Sequence, residues 1–169
     1  MAVLPIVTYP DPRLTRPSQE ITEIDPHIRE LAMSMAQTMY AAPGIGLAAP
    51  QVGENLRLIV VDVAEGDKRG KPMMLVNPRI VEASGQTSYE EGCLSVPDFT
   101  AEITRAAQVV VQALTLEGTQ VTIKADGLLA ICLQHEIDHL QGRLILDHVS
   151  PLKRGLYRKK RLKQLKKAG

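Results

Sequence analysis

The sequence predicts an α+β fold in a single domain of 169 residues. An amphipathic helix pattern lies near the N-terminus, strand-like segments fill the middle of the chain, and further helix patterns follow them. With 44% apolar residues the chain can bury a sizeable core, and its length is ordinary for one domain. No internal repeat or linker divides the sequence, so we expect residues 1–169 to form one unit.

The first helix is predicted to run from Pro26 to about Tyr40. Asp25 followed by Pro26 is typical of a helix start, with an N-cap and then proline in the first turn. Apolar residues then recur at helical spacing: Ile28, Leu31, Ala32, Met35 and Met39. The helix should end before Pro43-Gly44. The first twenty or so residues, rich in proline and polar groups, are expected to form an extended arm.

Strands are predicted in the middle of the chain, where β-branched and apolar residues alternate with turn residues. We expect strands at 56–63 and at 73–83, the second broken at Pro78, with a polar turn or loop over 64–72 between them. A loop around Gly92 follows. We then expect a hairpin-rich sheet with strands at about 101–105, 107–116 and 119–124 and a turn at Glu117-Gly118.

Two more helices close the chain. Asp126 is the expected N-cap of a helix that starts near Gly127 and runs to about Leu140, before Gly142. A third helix, from about Pro151 to Lys167, lies within the terminal segment 151–169. That segment carries nine of the 20 basic residues and no acidic one, which leaves 11 basic against 19 acidic residues in the rest of the chain. Leu152, Leu156, Leu162 and Leu165 form a thin apolar stripe along it.

Composition excludes several classes of protein. Two cysteines are too few for a secreted disulfide framework, and aromatic residues make up only 3% of the chain, which disfavours a stacking surface for single-stranded nucleic acid. The N-terminus has neither a secretory leader nor a transit peptide, and no apolar run approaches the length of a membrane span. We therefore expect a cytoplasmic protein.

The segment QHEIDHLQG, residues 134–142, has the strongest chemical signal in the chain. His135 and His139 are four residues apart, so both can reach one metal ion from the same helix face. Glu136 follows His135 directly and can act as the general base toward water at that ion. A solvated face with two ordinary histidines is the alternative. Leu128, Ile131 and Cys132 continue the face with apolar residues, which indicates a buried site.

A two-histidine site needs a third ligand, and Cys93 in YEEGCLSVP is the better of the two cysteines. Cys132 lies only three residues from His135 on the same helix and is expected to be a core residue. A Cys-His-His set leaves one coordination position open, as in catalytic zinc sites, and also accepts ferrous iron. Gln51 in GIGLAAPQVG could donate to a developing oxyanion. The alternative is that Gln51 only caps loop backbone.

Together, GIGLAAPQ, EGCLS and QHEIDH closely resemble the motifs of the bacterial peptide deformylases, and the similarity extends from TYPDPRL to DHVSPLKR. The resemblance implies antiparallel sheets around a central helix that carries the His-Glu-x-x-His motif. It also implies hydrolytic removal of the formyl group from formylmethionine on nascent polypeptides.

The resemblance assigns roles to individual residues. The metal ligands would be Cys93, His135 and His139, with Glu136 as the general acid and base. Gln51 and the backbone N–H of Leu94 would hold the oxyanion. Substrate backbone would pair with Gly44, Ile45 and Gly46, and the methionine side chain would be bound by Tyr89, Leu128, Ile131 and Cys132. Arg105 and Asp138 would support the metal site from behind.

The resemblance also implies one divalent metal per chain, with ferrous iron as the expected native metal and zinc, nickel or cobalt as possible replacements. It implies a monomer whose basic terminal helix contacts the ribosome near the exit tunnel. A solvated terminal helix that balances the acidic body is the alternative for that segment.

Two other functions compete with this one. A zinc peptidase could use His-Glu-x-x-His to cut internal peptide bonds, and unformylated peptides would then be substrates. A non-catalytic RNA-binding module could rely on the basic tail, and Glu136→Gln would then affect no hydrolysis.

Overall fold

The computed structural model describes residues 2–168, so Met1 and Gly169, the outer bounds of the predicted domain and terminal segment, lie outside the described residues. The helices are α1 (Pro26–Ala41), α2 (Gly127–Leu140) and α3 (Pro151–Ala168). The three predicted helices are confirmed. Asp25 caps α1 by accepting from the backbone N–H of Ile28 at 3.0 Å. Asp126 occupies the N-cap of α2 as predicted, although its side chain makes no capping hydrogen bond.

Within residues 2–168, seven strands form two antiparallel sheets. They are β1 (Gly46–Ala48), β2 (Leu58–Val61), β3 (Met73–Ser84), β4 (Thr87–Cys93), β5 (Val96–Arg105), β6 (Gln108–Leu114) and β7 (Gln120–Asp126). The larger sheet has the order β1-β2-β3-β6-β7, and β4 and β5 form a separate hairpin. Every strand pairing is antiparallel, as predicted.

The strand predictions differ from the structure in three places. β1 lies inside GIGLAAPQVG, for which no strand was predicted, and β4 lies in a stretch that carried no strand signal. β3 does not break at Pro78. Instead the ladder with β6 shifts register between Val76 and Arg79, and Asn77 adopts a positive φ of 51°. A bulge there lets the strand pass the proline, which has no N–H to give to the ladder.

The larger sheet is covered on both faces, and this places α2 at the centre of the molecule. Ile59 and Val61 of β2 pack with α2, whereas the alternate residues Leu58 and Val60 pack with α1. The opposite side of α2 faces the β4–β5 hairpin, to which it is joined through Asp138 and His135. The helix with the His-Glu-x-x-His motif is therefore enclosed between the two sheets.

A third cluster of buried residues joins β5 to the N-terminal arm and the C-terminal segment. Val7 and Leu14 of the arm are part of it, so the arm is packed onto the body of the protein. In α3 only Tyr157 is buried among the described residues. The four leucines of the predicted apolar stripe are exposed. No helix within residues 2–168 is both long and apolar enough to cross a membrane.

Candidate active site

Three metal-binding side chains converge at the middle of α2. Cys93 Sγ lies 3.4 Å from His139 Nε2, and the two histidine Nε2 atoms are 3.3 Å apart. All three donor atoms lie within 4.8 Å of one another. Two imidazole nitrogens and a thiol, directed at one point, are a donor set that suits a divalent transition-metal ion.

The local structure explains why these groups meet. His135 and His139 are one helical turn apart on α2, so their rings lie on the same face. Cys93 is the last residue of β4, directly before the tight turn at Leu94 and Ser95 that leads into β5. The hairpin register shifts between Gly92 and Cys93, and the end of the strand approaches the helix there.

Glu91 supports the site from behind. Its Oε1 lies 2.9 Å from His135 Nδ1, and Arg105 donates to both carboxylate oxygens at 2.6 and 2.9 Å. Burial alone would raise the pKa of Glu91, but the hydrogen bonds from His135 and Arg105 outweigh it and hold the pKa below its ordinary value. Glu91 is therefore an ionised acceptor that fixes the His135 ring.

Arg105 continues this network toward the surface. Its third donor reaches Asp138 Oδ2 at 3.0 Å, and the same oxygen lies 2.8 Å from His148 Nε2. Burial tends to raise the pKa of Asp138, yet its bonds to His148 and Arg105 leave that pKa lowered. The structure thus places the predicted supporting pair, Arg105 and Asp138, in one chain of charged groups that starts at His135.

Glu136 is buried beside the donors, with 4% of its surface exposed. Its Oε1 has no hydrogen-bond partner among the described residues. Burial raises the pKa of Glu136 to about 7, although His135 and Arg105 act in the opposite direction. A carboxyl group with that pKa can both accept and release a proton near neutral pH.

The histidine rings sit in contrasting surroundings. Burial and the neighbouring His135 lower the pKa of His139 well below its ordinary value, so that ring is neutral. Burial also acts to lower the pKa of His135, but Glu136, Cys93 and Glu91 together raise it. The negative groups around His135 therefore favour a positive charge at this point, and a bound cation would supply one.

Gln51 caps loop backbone with one end of its side-chain amide and faces the three donors with the other. Its Oε1 accepts from the backbone N–H of Ala48 at 3.0 Å, which is the backbone cap. Its Nε2 donates to Ser95 Oγ at 3.1 Å and lies 3.7 Å from Cys93 Sγ. The first bond fixes which end of the amide faces the donors, and so the N–H groups point to the site.

The donors open into a cleft of about 750 Å³. One wall is the segment Pro43–Gly46, and the other is Tyr89–Leu94 on the hairpin. Leu128, Ile131 and Cys132 of α2 form an apolar floor beside His135 and Glu136. Every predicted substrate-binding residue therefore lines this cleft, with Tyr89 at its rim, 47% exposed.

Gly46 is the closest approach of the cleft wall to Glu136. A Cβ atom built on Gly46 would lie 2.5 Å from Glu136 Oε2 and 2.8 Å from Cys132 Sγ, distances that no real Cβ tolerates. β1 is the first strand of its sheet and, in the part of the chain that the structure describes, pairs only with β2. The strand therefore offers its free edge to the cleft next to Glu136, as an added peptide strand requires.

Three contributors were missed by the sequence interpretation: Glu91, Ser95 and His148. Glu91 and Ser95 flank Cys93 within EEGCLS, and the spacing of two residues on either side gave a usable signal. His148 had none, because its contact with Asp138 depends on how residues 145–148 fold back after α2.

The chain is similar to known proteins over most of its length. The family model described as Polypeptide deformylase matches residues 3–155. The chain is 48% identical over 168 residues to the peptide deformylase of Syntrophobacter fumaroxidans, covering 99% of both sequences. It is 49% identical over 161 residues to that of Acinetobacter baumannii, covering 95% of this chain and 90% of that one. Among solved structures it superposes on the peptide deformylase from Ehrlichia chaffeensis in complex with actinonin with a TM-score of 0.92, at 44% identity, covering 97% and 98% of the two chains.

Proposed function

The chain belongs to the polypeptide deformylase family, an enzyme family that removes the N-formyl group from nascent polypeptides, and from that premise we propose which of its residues carry out the reaction. Cys93, His135 and His139 hold one divalent metal ion, and Glu136 carries the proton. The observation that supports the assignment is the convergence of these three donors beside a buried Glu136, whose Oε1 has no hydrogen-bond partner within residues 2–168. Family membership argues against the zinc peptidase and the RNA-binding module.

The metal ion, when bound, polarises the formyl group and lowers the pKa of water beside it. Glu136 accepts a proton from the water that attacks the formyl carbon, and its pKa of about 7 suits that task. It then donates this proton to the leaving nitrogen as the carbon–nitrogen bond breaks. The products are formate and a peptide with a free amino terminus.

Negative charge develops on the formyl oxygen during the attack. We assign the donors to Gln51 and to the backbone N–H of Leu94, which follows Cys93 in the hairpin turn. The Gln51 amide is fixed in advance by Ala48 and Ser95, so it loses little freedom when it binds the oxyanion. The bond to Ser95 uses one of the two Nε2 hydrogens, so the other can be donated to the oxyanion.

The cleft positions the peptide. Its backbone extends the sheet at Gly44, Ile45 and Gly46, while the methionine side chain enters the apolar floor of Leu128, Ile131 and Cys132, with Tyr89 at the entrance. Arg105 and Asp138 hold Glu91 and thereby the His135 ring.

Formate release from formyl-Met-Ala-Ser by the wild type and by Glu136→Gln tests the assignment, with bound metal quantified in both. Glu136→Gln should retain the metal and lose roughly 10²–10⁴-fold in kcat. The matched control is Glu102→Gln, an exposed carboxylate on β5 that should change neither quantity. Turnover by Glu136→Gln within a few-fold of the wild type would contradict the role of Glu136.

The enzyme is metal-dependent, and we propose ferrous iron as its native metal, with zinc, nickel or cobalt able to replace it. A Cys-His-His set accepts all four ions, so the choice depends on supply and oxidation as well as affinity. Purification without oxygen, followed by metal analysis and assay, should recover iron and the highest activity. Recovery of zinc alone at full activity would overturn the proposal.

We also propose that α3 contacts the ribosome near the exit tunnel. Nine basic residues follow Asp147, and apart from Tyr157, Arg161 and Gln164 the described side chains of the helix are exposed. Arg161 is engaged by the body, donating to the backbone oxygen of Tyr9 at 2.9 Å. Arg154 lies 3.6 Å from Asp147 and Lys153 lies over the Phe99 ring. The exposed cations that can meet a polyanion such as ribosomal RNA are therefore Arg158, Lys159, Lys160, Lys163, Lys166 and Lys167.

A triple Lys-to-Glu change at the exposed positions Lys159, Lys160 and Lys163 tests this contact without removing Tyr157. In co-sedimentation, the affinity of the variant for ribosomes should be at least tenfold lower than that of the wild type, while turnover of formyl-Met-Ala-Ser persists. The affinity of the wild type should also fall more steeply with salt concentration than that of the variant. The control carries the same charge change at the exposed residues Lys68, Lys71 and Lys124. Equal ribosome binding by the two triple variants would exclude α3 as the contact.

We further propose that residues 1–169 act as one domain, as a monomer in the cytoplasm.

A further inference from the structure

The loop between β2 and β3, residues 64–72, folds back onto the wall of the cleft. Its Arg69 donates through Nη1 to the backbone oxygen of Asp62 at 2.8 Å and through Nη2 to the backbone oxygen of Gly44. The guanidinium carbon lies 4.8 Å from the centre of the Tyr40 ring. One side chain therefore joins the loop, the end of β2, the end of α1 and the outer part of the cleft wall.

Asp62 holds the loop in the position that Arg69 needs. Its carboxylate accepts from Tyr40 Oη at 2.6 Å, from the Gly70 N–H at 2.8 Å and from the Ala64 N–H at 3.0 Å. Asp62 is 5% exposed. These bonds use side-chain and backbone groups on both sides of Arg69, so the guanidinium is directed rather than free to rotate.

Two backbone hydrogen bonds also hold this part of the cleft wall. The Asp62 N–H donates to the backbone oxygen of Ile45 at 2.8 Å, and the Gly44 N–H donates to the backbone oxygen of Met39 at 2.7 Å. With the Gly44 oxygen bound to Arg69, both backbone polar groups of Gly44 are tied to the body of the protein, and the oxygen keeps a second lone pair for an added strand. A Cβ on Gly44 would lie 3.1 Å from Leu94 Cδ1, so this point faces the opposite wall of the cleft.

Gly44 lies two residues before Gly46, the contact point with Glu136, which is roughly 7 Å along an extended chain. A peptide whose formyl group is at Glu136 and whose backbone follows this wall passes Gly44 with the residues that come after its methionine. We propose that Arg69 is a positioning residue for peptide binding, which fixes the outer end of the cleft wall by tying Gly44 to Asp62.

Only arginine can perform this task. Its planar fork presents separate N–H groups to two carbonyl oxygens while its face rests on Tyr40, whereas lysine has one nitrogen on a flexible stem. Releasing Gly44 should leave the metal ligands and Glu136 in place, because the side-chain hydrogen bonds of the loop go to Asp62 and Gly44. The effect should therefore appear in peptide binding and not in the chemical step.

The inference rests on the proposed deformylase activity, and Arg69→Ala tests it with formyl-Met-Ala-Ser and with formyl-Met alone. KM for the tripeptide should rise roughly tenfold, as expected for the loss of a hydrogen bond to a charged group, with kcat within about twofold. KM for formyl-Met should change little. Arg69→Lys should fall between the wild type and Arg69→Ala, and Lys68→Ala, an exposed neighbour in the same loop, should match the wild type.

Amide hydrogen exchange over residues 43–48 gives a readout that needs no activity. Exchange should accelerate in Arg69→Ala and, less strongly, in Arg69→Lys, but not in Lys68→Ala. If Arg69→Ala does not fold, the same comparisons are made with Arg69→Lys. The role of Arg69 would be overturned if the ratio of KM for formyl-Met-Ala-Ser to KM for formyl-Met were the same in Arg69→Ala as in the wild type. Unchanged hydrogen exchange over residues 43–48 would overturn it as well. Failure of the wild type to release formate would instead refute the proposed function, and the exchange measurement would still decide whether Arg69 orders the wall.

Discussion

His135 Nδ1 lies 2.9 Å from Oε1 of Glu91, and Glu91 precedes Cys93 by two residues on β4. One strand thus supplies a metal-binding thiol and the carboxylate that orients the histidine facing it. Because the pKa of Glu91 is below its ordinary value, Glu91 is an acceptor and His135 donates to it from Nδ1. The other ring nitrogen, Nε2, is directed toward His139, where a bound cation would take the place of its proton.

Glu91→Gln should weaken metal binding while the fold persists. An amide retains the shape of the side chain but not the charge that Arg105 and His135 both require, so the ring loses its fixed tautomer. The dissociation constant for the metal, measured by competition with a chelator, should rise roughly 10–100-fold. Glu102→Gln on the paired strand should leave it unchanged. Equal affinities in the two variants would show that Glu91 does not orient His135.

Gly46→Ala should disable the enzyme through crowding at Glu136. The added Cβ would lie 2.5 Å from a carboxylate oxygen, so either β1 or Glu136 must move. Overpacking of this kind costs about 1–3 kcal/mol of the free energy of unfolding, and we expect kcat/KM to fall at least tenfold. Gly155→Ala is the control, because nothing lies within 4 Å of its Cβ. Its helical position should give about 0.5–1 kcal/mol of added stability at unchanged turnover. Normal turnover by Gly46→Ala would show that the close approach of Gly46 to Glu136 does not limit activity.

The sequence predicted the helices better than the strands, for physical reasons. Asp25-Pro26 and Gly142 mark helix ends by local chemistry that needs no tertiary contact. β1 has only three residues, all buried, and so has no alternating pattern to detect. β4 is the reverse case, because Glu91 is its only buried residue and its polar composition resembles a loop.

The site could be predicted where neighbours in sequence are neighbours in space. His135, Glu136 and His139 share one helix, and spacing alone brings them together. The choice of Cys93 over Cys132 depended on crowding, and the structure places Cys132 in the cleft floor instead of the donor set. The hydrogen bond from Arg69 to Gly44 joins residues that are 25 positions apart. The polar composition of the loop that carries Arg69 does not predict where the loop folds.

The Asp62 carboxylate should stabilise the fold at neutral pH and cease to do so in acid. Burial alone would raise the pKa of Asp62, but hydrogen bonds from Tyr40, Gly70 and Ala64 leave it lowered. A lowered folded-state pKa contributes stability above the unfolded value of about 3.9 and loses it as the pH falls through the folded value.

Asp62→Asn should therefore be about 1–3 kcal/mol less stable than the wild type at pH 7, in urea unfolding. The difference should narrow as the pH is lowered below about 4. Asp67→Asn, an exposed carboxylate in the same loop, serves as control and should show no such dependence. A difference for Asp62→Asn that stays constant into strong acid would mean that the carboxylate charge is not what stabilises the loop.

Tyr157 should carry the attachment of α3 to the body. Its ring packs against Phe99 and Tyr9, with centroids 5.0 and 5.9 Å away, and its hydroxyl donates to the Pro97 backbone oxygen at 2.6 Å. Tyr157→Ala should lower the free energy of unfolding by about 3 kcal/mol, and Tyr157→Phe by about 1 kcal/mol, because the second change removes only the hydrogen bond.

The neighbouring Leu156, 61% exposed, provides the matched comparison. Leu156→Ala should change stability by less than about 0.5 kcal/mol, since its side chain lies in solvent. If Leu156→Ala and Tyr157→Ala unfold at the same urea concentration, α3 is not attached through Tyr157. The orientation of its basic residues would then depend on other contacts, among them the hydrogen bond from Arg161 to the backbone oxygen of Tyr9.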